Sequence, residues 1–114
     1  MKSQRAYLEH ILECIRRIDV ASAAGRDSVF ASHTLQDAIL RNLQVLCEST
    51  QRITDAHKQG HPEIPWQAIA GMRNVVAHDY FDVDIEIVWR IVTRDLRPLE
   101  AAIRDILSRL DEDE

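Results

Sequence analysis

The sequence predicts an all-α fold, an up-and-down bundle of four to five helices, on three observations. Leu, Ile, Ala, Arg and Glu are plentiful, and the 114 residues hold only three glycines and three prolines, too few turn-formers for a chain of short strands. Apolar residues recur at helical spacing over long stretches. The breakers gather at a few points, chiefly Gly60-His61-Pro62-Glu63-Ile64-Pro65. An apolar fraction of 46% suits a folded chain with one hydrophobic core. The reading is one domain over residues 1–110, followed by an acidic, solvated tail at 111–114.

Each element follows from the pattern. Leu8, Ile11, Leu12, Ile15 and Ile18 define a first helix from about Ser3 to Ala24, ended by Gly25-Arg26-Asp27. A second helix starts between Ser28 and Thr34 and runs to about His57, with Leu35, Ile39, Leu43, Leu46 and Ile53 on one face. The loop at 60–65 contains two prolines and a glycine, which no helix tolerates in its interior. Pro65 suits the first turn of a short third helix through Trp66, Ile69, Met72 and Val76. Asp79 to Val83 reads as a turn, with Asp82 or Asp84 capping the last helix. That helix carries Ile85, Val88, Val92, Leu96, Leu99, Ile103, Ile106 and Leu110 in one seam. Pro98 lies inside it and predicts a kink or a local loosening.

Composition also bounds function. No apolar run approaches the length of a membrane span, and the first residues lack the apolar core of a signal peptide, so a cytoplasmic protein is expected. Cys14 and Cys47 are lone cysteines on apolar helices and read as buried free thiols. The net charge of −5 favours a shaped catalytic site over a general nucleic-acid coat. Without the four carboxylates of Asp111-Glu112-Asp113-Glu114 the body is near −1, which leaves room for a local basic cleft. His57 and His61 stand four apart, but Gly60 and Pro62 interrupt the helix that such a metal-binding pair needs. No metal and no cofactor is expected.

The chemistry concentrates in Arg73-Asn74-Val75-Val76-Ala77-His78-Asp79-Tyr80. Arg73 is a fixed cation whose planar fork matches a phosphate, and His78 carries an imidazole able to move a proton near neutral pH. These are the two requirements of phosphodiester cleavage without a metal. On an ideal helix the two residues stand about 140° apart. They border one groove if the helix unwinds near Ala77, or if a two-fold axis brings two copies together. Glu48 on the second helix is placed to pair with Arg73. Arg41 lies seven residues before it on the same side and is placed to touch a substrate's phosphate backbone, while Asn74 is placed to bond phosphate or orient Arg73. Each also has an ordinary reading: Glu48 as a helical salt-bridge partner, Arg41 as a solvated surface group, Tyr80 as a packing residue at the turn, His78 as a cap on the last carbonyls of its helix.

From Arg41 onward the chain resembles the HepT-like toxins of the HEPN superfamily. The resemblance rests on Arg41-Asn42-Leu43-Gln44-Val45-Leu46-Cys47-Glu48, on His61-Pro62-Glu63-Ile64-Pro65-Trp66, on Gly71 to Asp84, and on Trp89. One departure is Cys47, where the family commonly has a small glycine before the glutamate. The resemblance implies a metal-independent endoribonuclease, the toxin of a type VII-like toxin–antitoxin system. Its motif, Arg followed by four residues, His, any residue and Tyr, falls on Arg73, His78 and Tyr80 without a gap. It further implies a homodimer with motif residues of both chains in one cleft, and an MntA-like nucleotidyltransferase antitoxin that adenylylates Tyr80. A different class stays open, a non-catalytic HEPN module that binds nucleotide or docks the nucleotidyltransferase.

Overall fold

The computed structural model describes residues 3–78 and 84–113, and the side chains among them other than those of 73–78 and 111–113. The described residues are helical and contain no strand, as an all-α reading requires. In order they form α1 (Gln4–Ser22), α2 (Arg26–Phe30), α3 (His33–Thr50), α4 (Asp55–Gln59), α5 (Trp66–His78), α6 (Ile85–Arg90), a π-helical segment (Ile91–Asp95) and α7 (Leu96–Asp113). The packing order is α7 on α1, α1 on α3, and α3 on α5.

The core is the sum of the helical seams. Leu8, Ile11, Ile15 and Ile18 of α1 interlock with Ile39, Leu43 and Leu46 of α3 and with Leu96, Leu99 and Ile103 of α7, all buried. Caps define where the helices begin. The Ser3 hydroxyl accepts from the Ala6 amide at 3.1 Å, and the Ser32 hydroxyl accepts from Leu35 at the same distance. Each satisfies a donor that the first turn leaves without an intrahelical partner. Asp84, one of the two residues expected to cap the last helix, accepts from Glu86 at 2.9 Å; Asp82 lies outside the described residues.

Three expectations change. The stretch between the first two long helices is not a plain turn. Gly25 takes φ +96, a conformation that L side chains rarely adopt, and starts the short helix α2, whose Val29 is buried. The second helix ends at Thr50 rather than near His57. The Thr50 hydroxyl donates to the Cys47 carbonyl at 2.7 Å, the chain turns, and Ile53 drops into the core from the turn. Gln4 bridges that break. Its amide nitrogen donates to the Arg52 carbonyl at 2.8 Å, and its oxygen accepts from the Thr54 amide at 3.0 Å. Thr54 then caps the separate helix α4. Finally, α7 continues to Asp113, so the first three acidic residues extend the helix instead of trailing from it.

The predicted disturbance at Pro98 takes a definite form. Proline lacks an N–H, and its ring collides with the carbonyl four residues earlier, here Arg94. The π-helical segment Ile91–Asp95 widens the turn at that place and joins α6 to α7 as one path while keeping Val92 and Leu96 buried.

Candidate active site

Arg73, Asn74 and His78 all lie on α5, and His78 is its last residue. The helix is unbroken through Ala77. Of the two ways for Arg73 and His78 to border one groove, unwinding near Ala77 is absent, and the separation of about 140° between the two backbone positions stands. Tyr80 lies outside the described residues, as does the turn expected at Asp79 to Val83. The dihedral course of α5 therefore sets where Arg73 and His78 begin, and α3 is the helix packed beside it.

Arg41 and Glu48 sit on the exposed side of α3, two turns apart. Cys47, next to Glu48, is completely buried, so its thiol faces the core and leaves the glutamate outside. Cys14 is likewise buried and free, and burial pushes its thiol above the ordinary range, as suits a packing residue rather than a nucleophile.

The start of α5 is fixed by a group of contacts that local sequence does not reveal. The Trp66 indole N–H is shared between two carbonyls, His61 at 3.1 Å and Lys58 at 3.2 Å. The Lys58 ammonium lies 5.9 Å from the centre of the same ring. Ile64, two residues before Trp66, is buried. His61 does not pair with His57. Its Nδ1 stands 2.9 Å from a Glu63 carboxylate oxygen, and its Nε2 stands 2.8 Å from Asp105 on α7. Arg109 also donates to Asp105, at 3.0 Å. The His61 ring holds the Glu63 carboxyl below the usual carboxylate range. Asp105 is lowered as well, first by Arg109 and then by His61. Asp105 is 44 residues from His61, so only the packing of α7 beside the loop brings them together.

Among the described residues, no group of three or more His, Cys, Asp or Glu side chains is arranged to hold a metal ion. None of the described helices is long and apolar enough to cross a membrane.

The comparisons with known proteins settle the family. The model of the HepT-like ribonucleases matches residues 11–106. The chain belongs to the HepT-like ribonuclease family. It is 32% identical over 110 residues to a candidate RNase of Caldanaerobacter subterraneus subsp. tengcongensis, covering 96% of this chain and 98% of that one. It is 33% identical over 100 residues to a "Probable ribonuclease HepT" of Thermococcus cleftensis, with 87% and 91% covered. It is also 32% identical over 111 residues to a Methanocaldococcus jannaschii protein that joins a gamma-glutamylcyclotransferase to a candidate RNase, of which this chain spans 50%. No solved structure matches the chain.

Proposed function

We propose that this HepT-like protein is a metal-independent endoribonuclease, the toxin of a type VII-like toxin–antitoxin pair, and that Arg73 and His78 are its catalytic residues. The observation that carries the reading is the family match over residues 11–106, a span that includes the whole of Arg73, His78 and Tyr80 at the motif's spacing. In a homodimer, two copies of Arg73 and His78 surround one phosphate. One His78 takes the proton of the ribose 2′-hydroxyl as the oxygen attacks phosphorus. The other gives a proton to the departing 5′-oxygen, and Arg73 stabilises charge building on the phosphoryl oxygens. The products are a 2′,3′-cyclic phosphate and a 5′-hydroxyl. His78 ends its helix, where carbonyl dipoles repel anions, so the side chains rather than the helix terminus must hold the phosphate.

The dimer is supported by an apolar cleft of about 380 Å³ between α5 and the start of the last helical stretch, lined by Ile64, Ile69, Met72, Ile87 and Leu99. Ile87 is 51% exposed, and a second copy would cover it. Asn74, Glu48 and Arg41 are assigned supporting or substrate-contacting roles. An AMP group on Tyr80, added by an MntA-like nucleotidyltransferase, would place bulk and negative charge in the phosphate groove and silence it.

The test is cleavage of an RNA oligonucleotide and of its all-deoxy counterpart, followed by intact mass after incubation with the nucleotidyltransferase and ATP. The reading expects a cyclic phosphate from RNA, intact DNA, and a mass gain of one AMP that stops cleavage and is lost in Tyr80→Phe. If the unmodified protein leaves RNA whole yet still gains AMP at Tyr80, the docking-module reading replaces this one.

A further inference from the structure

His61 makes two carboxylate contacts, and a neutral imidazole can satisfy only one. It carries one N–H and one bare nitrogen, and the bare nitrogen would face an oxygen lone pair. Both the Glu63 contact at 2.9 Å and the Asp105 contact at 2.8 Å are hydrogen bonds only when both ring nitrogens bear hydrogen. The ring is 15% exposed, so water does little to replace a lost partner.

The same residue reaches α5. Its carbonyl accepts from the Trp66 indole at 3.1 Å and from the Ile64 amide at 3.2 Å. A continuous path therefore runs from Asp105 on α7, through the His61 ring and backbone, to the first residue of α5. Arg73 stands seven residues further on, about 10 Å along the helix axis.

We propose that His61 is a positioning residue, a proton-dependent latch that holds the start of α5 against α7 and so sets where Arg73 and His78 stand. The proposal rests on the reading of those two residues as the RNA-cleaving pair. With two protons on the ring, both carboxylates are engaged and the loop is pinned at two points. Loss of one proton turns one contact from attraction to repulsion and frees the loop on that side. The charged and titratable groups around the ring are Glu63 in the loop, Asp105 and Arg109 on α7, and His57 on α4, which lines the same cleft as His61 and Arg109. These neighbours hold the Glu63 and Asp105 carboxyls below the usual carboxylate range, so the ring faces two carboxylates that both ask for an N–H.

The Trp66 indole N–H reports on the latch, and Trp89 on α6 serves as an internal control. We would follow both indole resonances and the first-turn amides of α5 in the full-length protein from about pH 5 to about pH 9, the range that brackets imidazole titration. Wild type and His57→Gln should show a step at Trp66 that is absent at Trp89. His61→Gln should abolish it. Asp105→Asn should also abolish it while keeping the fold, because an amide accepts from a ring N–H and donates to a bare nitrogen equally well. RNA cleavage by His61→Gln should fall by about tenfold, within the roughly 100-fold that a 1 Å misplacement can cost. A step that persists in His61→Gln, that appears equally at Trp89, or that is missing from wild type overturns the latch. The catalytic reading fails separately, if Arg73→Ala or His78→Ala cleaves RNA as wild type does whatever Trp66 reports.

Discussion

The α1–α3–α7 core and the α5 arm are built by different physics. In the core, each helix lays down a row of fully buried side chains, and α1 and α3 start at serine caps. In α5 none of the described side chains is fully buried; Trp66, Ile69 and Met72 only lean on the core. Packing on α3 holds one side of this helix, and hydrogen bonds from the preceding loop hold its start. The core sets stability, and the arm, which carries Arg73 and His78, is held at its start by a few directional contacts.

The sharpest way to break this comparison is to truncate equivalent apolar residues in the two regions. Leu43→Ala, in the centre of the buried seam, should cost about 3 kcal/mol, in the range of large-to-small core changes. Ile69→Ala on α5, only partly buried, should cost about 1 kcal/mol because less surface leaves water and the site can relax. Denaturant midpoints at constant slope would check both. Equal losses would mean that α5 is as much a part of the core as α3.

A smaller effect concerns the caps. Ser32→Ala should cost about 1 kcal/mol by leaving the Leu35 amide without its acceptor, and Ser32→Gly only a few tenths. Thermal melts of the pair separate the lost hydrogen bond from a general backbone effect.

The smallest effect is a pH dependence in the core's charged rim. Hydrogen bonds from Arg16 and then Arg17 lower the Glu13 carboxyl from 4.5 to about 2. The folded state thus binds this proton less readily than the unfolded chain. The contribution is complete above the unfolded carboxylate value and is lost as pH falls through about 2. The Glu13 side chain is 40% exposed, so solvent screening keeps the amount small. The difference in melting temperature between wild type and Glu13→Gln should shrink steadily under acid, and a difference that widens would reverse the assigned sign.

Much of the core was legible because burial repeats with the period of a helix. Leu8 to Ile18, Ile39 to Leu46 and Leu96 to Ile106 read as seams, and Pro98 marks a kink or loosening whose form, a π-helical segment, only the structure supplies. The break after Thr50 was hidden, since Ile53 continues the apolar register although it enters the core from a turn. The short helix α2 depends on Gly25 adopting a positive φ, which a glycine permits but does not demand. His61 was read beside His57 because they are near in sequence, whereas its partners are Glu63 and Asp105. No local pattern encodes a contact between a loop and a helix 44 residues away. The family resemblance carried the motif residues, and the bond network that positions their helix had to come from the packing.

The account's central claim is that Arg73 and His78 on α5 cleave RNA without a metal. The most direct measurement is single-turnover cleavage of an RNA oligonucleotide in excess chelator by wild type, Arg73→Ala and His78→Ala, with melting curves on the same preparations. The account predicts that wild type cuts and that each variant is slower by about 10²-fold or more, at unchanged melting temperature. Cleavage by either variant at the wild-type rate, or wild-type activity that disappears with the chelator, would contradict it.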